Sequence, residues 1–102
     1  MTNLFFNFLV VFSPGLWALV NNAGVPGTIA PIEWHSIQDF QEVLNINLLG
    51  TINVTQTFLP LIRKECGRIV NMASTLGRIA LANHAPYSIS KHGIEAFSDA
   101  LR

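Results

Sequence analysis

The sequence predicts an α/β fold built from the central strand–helix units of a parallel sheet. Two short apolar runs, LWALV at 16–20 and RIVNMA at 68–73, do not alternate between apolar and polar residues. Such runs are typical of strands that are covered on both faces of a parallel sheet. Each run is followed by a segment with apolar residues at helical spacing. Because strand–helix alternation favours a layered sheet with right-handed crossovers, we expect two parallel strands with helices packed on them.

The composition limits what kind of protein this chain can be. Its 102 residues suit one small domain, and half of them are hydrophobic while only 12% are charged. Small domains have the largest surface for their volume, so a chain this apolar is expected to bury part of its surface against further chain, a second copy or a membrane. Zero net charge without a basic cluster argues against nucleic acid as a partner. The single Cys66 is predicted to be a free thiol in a loop.

The N-terminus carries an apolar run of its own, LFFNFLVVF at 4–12. It is shorter than the roughly 20 residues that a membrane-spanning helix needs, and it lacks the basic flank of a secretory signal. A buried strand or helix, a shortened membrane anchor and sequence foreign to the fold are the three interpretations, and we favour the third. We therefore divide the chain into an apolar segment, 1–14, and a domain portion, 15–102.

A long helix, either kinked or divided in two, is predicted between the strands. Ser36 and Asp39 have the spacing of a capping box, and helical periodicity then continues from Ile37 to Lys64. Gly50 and Pro60 interrupt this pattern, so they are the expected positions of a kink. The apolar face is broader than one core needs, so a second protomer could pack against it.

A second helix is predicted from Tyr87 to Leu101, after a loop from Ser74 to Pro86. In that helix Tyr87 and Lys91 are four residues apart, which puts them on one face, one turn apart. A nearby ammonium stabilises the phenolate form of a tyrosine, so the pair could exchange a proton with an alcohol or a carbonyl oxygen. Most Tyr-x-x-x-Lys pairs on helices are only surface contacts, so this pair needs further support.

Ser74 and Asn47 provide two more candidate site residues. Ser74 directly follows the second strand, and open α/β sheets bind ligands at the carboxyl ends of their strands. Its hydroxyl could hold the same substrate oxygen as Tyr87, although serines also commonly end strands in turns. Asn47 stands where the helical pattern calls for an apolar residue. A buried asparagine needs hydrogen-bond partners, so it could be a satisfied core group or part of a proton relay.

The order and spacing of these motifs resemble the short-chain dehydrogenase/reductase family over about 15–102. NNAG at Asn21–Gly24 matches the motif after that family's fourth strand, and Asn47 in NINLLG matches its helix asparagine. Ser74 in VNMAST lies thirteen residues before the tyrosine of YSISK, which matches the Tyr-x-x-x-Lys signature at Tyr87–Lys91. Within the family, GLWALVNNAG and GIEAFSDALR look most like retinol, 17β-hydroxysteroid and D-β-hydroxybutyrate dehydrogenases.

The resemblance implies a fold, an activity and roles for four residues. The fold would be a doubly wound, Rossmann-like parallel sheet, here represented by its central units. The activity would be an NAD- or NADP-dependent interconversion of an alcohol and a ketone or aldehyde. Tyr87 would be the general acid/base, and Lys91 would favour its ionised form while bonding the nicotinamide ribose. Ser74 would orient the substrate oxygen, and Asn47 would hold a water that links Lys91 to solvent.

The resemblance also implies how the cofactor and partners bind. Asn21, Ala23 and Gly24 would line the adenosine side of the dinucleotide, while Tyr87 and Lys91 would meet its nicotinamide side. The substrate would be a small lipophilic alcohol or ketone of the retinoid, steroid or hydroxy acid class. Oligomers in this family commonly pair the two long helices, so a homo-oligomer is expected there. Association with a membrane and the cellular compartment, cytoplasmic or at an intracellular membrane, stay open.

The chain departs from the family in its phosphate-binding motif. The family holds the pyrophosphate with a glycine-rich turn, TGxxxGxG, at a helix N-terminus. None of the seven glycines here has that spacing. We therefore expect a fragment, shortened at both ends of the domain, that is inactive by itself; the alternative is a non-catalytic fragment that docks on full-length family protomers. The histidines at 35, 84 and 92 lack metal-ligand spacing, so no metal site is predicted, and all three are expected to be surface or loop residues.

Overall fold

The computed structural model describes residues 15–102, and the predicted separation of the segment 1–14 lies outside the described residues. Two strands, β1 (Ala18–Asn21) and β2 (Arg68–Asn71), form a parallel pair. Leu19 lies opposite Ile69, and Val20 lies opposite Val70. The predicted α/β class and the parallel pairing of the two apolar runs are confirmed.

The helical elements are α1 (Ile37–Leu44), a π-helical turn (Asn45–Leu49), α2 (Gly50–Lys64), α3 (Ala85–Ala100) and two short 3-10 helices, Ile32–Trp34 and Thr75–Gly77. The capping box that begins α1 is present as predicted. Ser36 Oγ accepts a hydrogen bond from the Asp39 amide at 3.2 Å, and Asp39 Oδ2 accepts one from the Ser36 amide at 2.9 Å. These two bonds satisfy amide groups that the first helical turn would otherwise leave unpaired.

The helical path between the strands is irregular at the π-helical turn, which ends directly before Gly50, one of the two positions where a kink or a division was predicted. The Gly50 amide bonds to the carbonyl of Asn45, five residues back, so the irregular hydrogen bonding precedes Gly50. Pro60 lies inside α2 and does not end it. Phe58 and Ile62, on either side of Pro60, are buried in the core, and this packing compensates for the donor that proline lacks.

The helices of the described region cover one face of the sheet. Leu19, Phe58 and Ile62 form the core cluster between β1 and α2, each less than a tenth exposed. Val20 and Val70 point to the other face, because successive side chains of a strand alternate, and they are 58% and 46% exposed. Within residues 15–102, this second face of the strands is therefore open, as expected for the central units of a larger sheet.

Two loop residues test minor predictions. Cys66 is an exposed free thiol directly after α2, as predicted. His35, predicted to be a surface or loop residue, lies in a loop but has a fully buried side chain. Its Nε2 lies 3.0 Å from the carbonyl oxygen of Ala30, and its ring packs edge-on against Phe40.

Within residues 15–102, no helix is both long enough and apolar enough to cross a membrane.

Candidate active site

A pocket of about 310 Å³ lies at the carboxyl ends of the two strands. β1 ends at Asn21 and β2 at Asn71, and both strands run directly into the pocket wall. The wall consists of Asn22, Gly24, Val25, Pro26, Met72, Ala73, Tyr87 and Lys91. This is the end of a parallel sheet at which open α/β folds bind their ligands.

Tyr87 and Lys91 meet in this pocket because they share one face of α3. Lys91 Nζ lies 5.6 Å from the centroid of the Tyr87 ring and donates a hydrogen bond to the carbonyl oxygen of Met72 at 3.1 Å. Lys91 is only 6% exposed, and no carboxylate of residues 15–102 pairs with it. An ammonium has three hydrogens, so this one keeps donors for oxygen atoms of a ligand.

Asn47 is buried in the π-helical turn and holds one wall of the pocket. Its Oδ1 accepts from the Val25 amide at 2.7 Å, and its Nδ2 donates to the Val25 carbonyl at 2.8 Å and to Ser90 Oγ at 3.1 Å. These bonds satisfy the side-chain amide, in agreement with the interpretation of Asn47 as a satisfied core group. The proton-relay interpretation stays a prediction.

Gly24 keeps space open in front of the ammonium. A Cβ atom at this position would lie 3.4 Å from Asn47 Oδ1 and 3.7 Å from Lys91 Nζ. Both distances are ordinary van der Waals contacts, so a methyl group would fit without a clash but would occupy the pocket. The glycine therefore allows a ligand to approach Lys91 closely.

Ser74 lies near the site, but its hydroxyl has a local contact. It is the N-cap of the 3-10 helix Thr75–Gly77, and its Oγ accepts from the Leu76 amide at 3.2 Å. Ser74 does not line the pocket and makes no hydrogen bond to Tyr87. Within residues 15–102 this is the hydrogen bond that Ser74 Oγ makes, and its hydroxyl hydrogen can still be donated to a ligand. The role of Ser74 toward a substrate oxygen stays a prediction.

Asn21 contacts the helices, whereas its neighbour Asn22 lines the pocket. Asn21 Nδ2 donates to Thr55 Oγ1 at 3.0 Å and to Asn71 Oδ1 at 2.8 Å. Asn71 Nδ2 in turn donates to Ser98 Oγ at 2.9 Å. This ladder joins the ends of both strands to α2 and α3, so Asn21 stabilises the frame of the site.

Ala23 lines a different depression, of about 580 Å³, between β1 and α2.

Sequence reasoning missed three residues that contribute to the site: Asn22 in the wall, Asn71 in the ladder and Ser90 beside Asn47. Ser90 had a signal, because it lies three residues after Tyr87 on the predicted helix. Asn22 had one as well, since it lies inside the NNAG motif, but Asn71 had none, because the facing of a strand-end residue depends on the register of the sheet. No group of three acidic, histidine or cysteine side chains within residues 15–102 could hold a metal ion.

Comparisons with known proteins identify the family and relatives of this chain. The family model described as short chain dehydrogenase matches residues 3–102, a range that extends into the apolar N-terminal segment. Retinol dehydrogenase 7 of Rattus norvegicus is 57% identical over 88 residues, which make up 86% of this chain and 27% of that protein. The mitochondrial D-beta-hydroxybutyrate dehydrogenase of Bos taurus is 52% identical over 88 residues, covering 86% of this chain and 25% of that protein.

Solved structures show the same fold. A short chain dehydrogenase from Shigella flexneri, crystallised with NADP, aligns with a TM-score of 0.89 and 33% identity. The alignment covers 98% of this chain and 42% of that one, which confirms the prediction of a partial doubly wound sheet. The chain thus spans about a quarter of the length of these curated relatives.

Proposed function

The chain belongs to the short-chain dehydrogenase family, and on this premise we propose that its Tyr87–Lys91 pocket is the proton-exchange half of an oxidoreductase active site. The reaction would interconvert an alcohol and a ketone or aldehyde with NAD or NADP. The observation that carries the proposal is the buried Lys91 ammonium beside Tyr87, without a carboxylate partner within residues 15–102. A buried charge of this kind is costly to a fold and is commonly retained for function.

We propose that the pocket receives the sugar and nicotinamide portion of a dinucleotide. Lys91 has donors left for ribose hydroxyls, and Gly24 leaves the space in front of Nζ open. Asn22 adds an amide at the rim. For the adenosine side we propose the segment Asn21–Gly24, with Asn21 acting through the ladder described above and Ala23 in the adjacent depression.

In the proposed mechanism Tyr87 exchanges the proton. Its phenolate oxygen would take the alcohol proton in the oxidation, and the resulting hydroxyl would give it to the carbonyl oxygen in the reduction, with the Lys91 ammonium stabilising the phenolate. Ser74 would donate its free hydroxyl hydrogen to the substrate oxygen, and Asn47 would order a water near Lys91. A bound nicotinamide supplies the hydride acceptor or donor.

The substrate class follows from the relatives. The names of those relatives indicate retinol and D-beta-hydroxybutyrate as substrates of those proteins. We propose a small alcohol or ketone of the retinoid, steroid or hydroxy acid class for the reaction to which this site contributes. These 102 residues contain no TGxxxGxG spacing, so we further propose that they bind the dinucleotide weakly and do not turn over by themselves.

A segment exchange tests the competence of this site. The matching 88-residue segment of rat retinol dehydrogenase 7 would be replaced by that of this chain, and retinol oxidation would be followed by NADH or NADPH fluorescence. We expect the hybrid to be active and its Tyr87→Phe variant, which keeps the ring but loses the hydroxyl, to be inactive with the same thermal stability. Unchanged turnover in the Tyr87→Phe hybrid would rule out proton exchange at Tyr87.

A second candidate function is that of a non-catalytic fragment that docks on full-length family protomers. Exposed apolar side chains on the helices favour this candidate. In the π-helical turn Ile46 and Leu49 are 43% and 53% exposed, and in α3 Ile89 is 48% exposed. Size-exclusion chromatography of the purified chain tests this candidate. A monodisperse monomer that does not co-elute with rat retinol dehydrogenase 7 would count against it.

A further inference from the structure

The hydroxyl of Ser90 lies between two residues of the candidate site. Ser90 is fully buried in α3, and its Oγ donates to the Tyr87 carbonyl at 2.7 Å. The same oxygen accepts from Asn47 Nδ2 at 3.1 Å. A serine hydroxyl has one hydrogen, and here that hydrogen is committed to the Tyr87 carbonyl. Toward Asn47, therefore, Ser90 can act only as an acceptor.

This restriction determines which way the Asn47 amide faces. Nδ2 has two hydrogens, one for Ser90 Oγ and one for the Val25 carbonyl, while Oδ1 accepts from the Val25 amide. In the flipped orientation, Oδ1 would face the Val25 carbonyl and Nδ2 would face the Val25 amide, so that like groups would oppose each other. Ser90 and Val25 thus require the same orientation of the Asn47 side-chain amide. In the series of hydrogen bonds that runs from the Tyr87 carbonyl through Ser90 and Asn47 to Val25, every polar group is paired.

Val25 belongs to the wall of the pocket, next to Gly24, which lies close to both Asn47 and Lys91. We propose that Ser90 is a positioning residue: it holds the Asn47 amide in one orientation and, through Asn47, keeps the wall segment 24–26 beside Lys91. The significance of that wall rests on the proposed function, but the contact chain itself does not.

Amide hydrogen exchange of the 102-residue chain, measured by NMR, tests the proposal. Ser90→Ala removes the acceptor of one Nδ2 hydrogen, so the hold on Val25 weakens. A hydrogen bond contributes about 1 kcal/mol net, which corresponds to about a fivefold to tenfold faster exchange of the Val25 amide. Amides within the sheet, such as those of Leu19 and Val70, open only with the whole fold, so their rates should follow the change in global stability, whereas Val25 in its loop reports the local contact.

Ser88 offers a matched control on the same helix. It is also buried, at 1% exposure, but its Oγ has no hydrogen-bond partner within residues 15–102. Ser88→Ala should leave the exchange of Val25 unchanged. In an Asn47→Ala background, Ser90→Ala should produce no further acceleration, because its effect passes through Asn47. Equal acceleration by both serine variants, or an effect of Ser90→Ala that persists without Asn47, would overturn the proposal.

A measurement on the unaltered chain covers the case in which Ser90→Ala does not fold. The Asn47 side-chain amide protons should exchange slowly and show cross-relaxation to the Ser90 β protons. Fast exchange without that cross-relaxation would overturn the proposal. Neither readout needs cofactor or turnover, so a failure here differs from a failure of the proposed function, which the segment exchange reports.

Discussion

Alanine at Ser88 and at Ser90 should change stability in opposite directions, although both serines are buried in α3 and lie two residues apart. Ser88 Oγ is buried without a partner within residues 15–102, whereas Ser90 Oγ makes two hydrogen bonds. A buried hydroxyl without a partner costs about 1–3 kcal/mol, so its removal stabilises the folded state. Removing a hydroxyl that is paired twice has the reverse effect.

The magnitudes follow from these contacts. Two lost hydrogen bonds at about 1 kcal/mol each, less about 0.5 kcal/mol for the better helix propensity of alanine, predict that Ser90→Ala destabilises by about 1.5 kcal/mol. Ser88→Ala gains the relieved desolvation cost and the same propensity, so it should stabilise by about 1.5–3.5 kcal/mol. The two free energies of unfolding should therefore differ by about 3–5 kcal/mol, or at least about 12 °C in Tm for a chain of this size.

Equilibrium unfolding in urea at 25 °C, followed by far-UV circular dichroism, measures both variants against the unaltered chain. The midpoints should shift in opposite directions with unchanged slopes, because neither variant alters the surface exposed on unfolding. Midpoints that shift in the same direction by similar amounts would refute the assignment of the two hydroxyls. A lower midpoint for Ser88→Ala than for Ser90→Ala would refute it as well.

Three further variants test the frame around the site by the same urea unfolding. Phe58→Ala should lower the free energy of unfolding by about 3–5 kcal/mol because the ring is fully buried. Trp17 is exposed, so Trp17→Ala should change it by less than about 0.5 kcal/mol. Similar losses for the two variants would contradict the assignment of Phe58 to the core. Gly67→Ala should destabilise by more than about 1 kcal/mol, since its Cβ would lie 2.3 Å from the Trp17 carbonyl oxygen; an unchanged midpoint would argue against this close approach. Ser36→Ala should cost about 1 kcal/mol through loss of the capping box, and a neutral result would speak against that cap.

Local patterns could be predicted from the sequence because the helix itself sets their geometry. Ser36 and Asp39 are three residues apart and bond at the start of α1, and Tyr87 and Lys91 are four apart and share a face of α3. The order of motifs also identified the family and the parallel sheet. The local pattern left open whether the helix divides at Pro60, and α2 continues through it with buried core residues on both sides.

The fold class, the family and the pairing of Tyr87 with Lys91 could be read from the amino-acid sequence, since each depends on motif order or on spacing within one element. Which polar groups meet across elements became known from the folded chain. Asn47 bonds Val25 over 22 residues, and Asn21 bonds Asn71 over 50. These contacts depend on the π-helical turn and on the strand register, where a shift of one residue exchanges the facing of Asn21 and Asn22. Periodicity along one element carries no information about such pairings, because they are set by the packing of the whole chain.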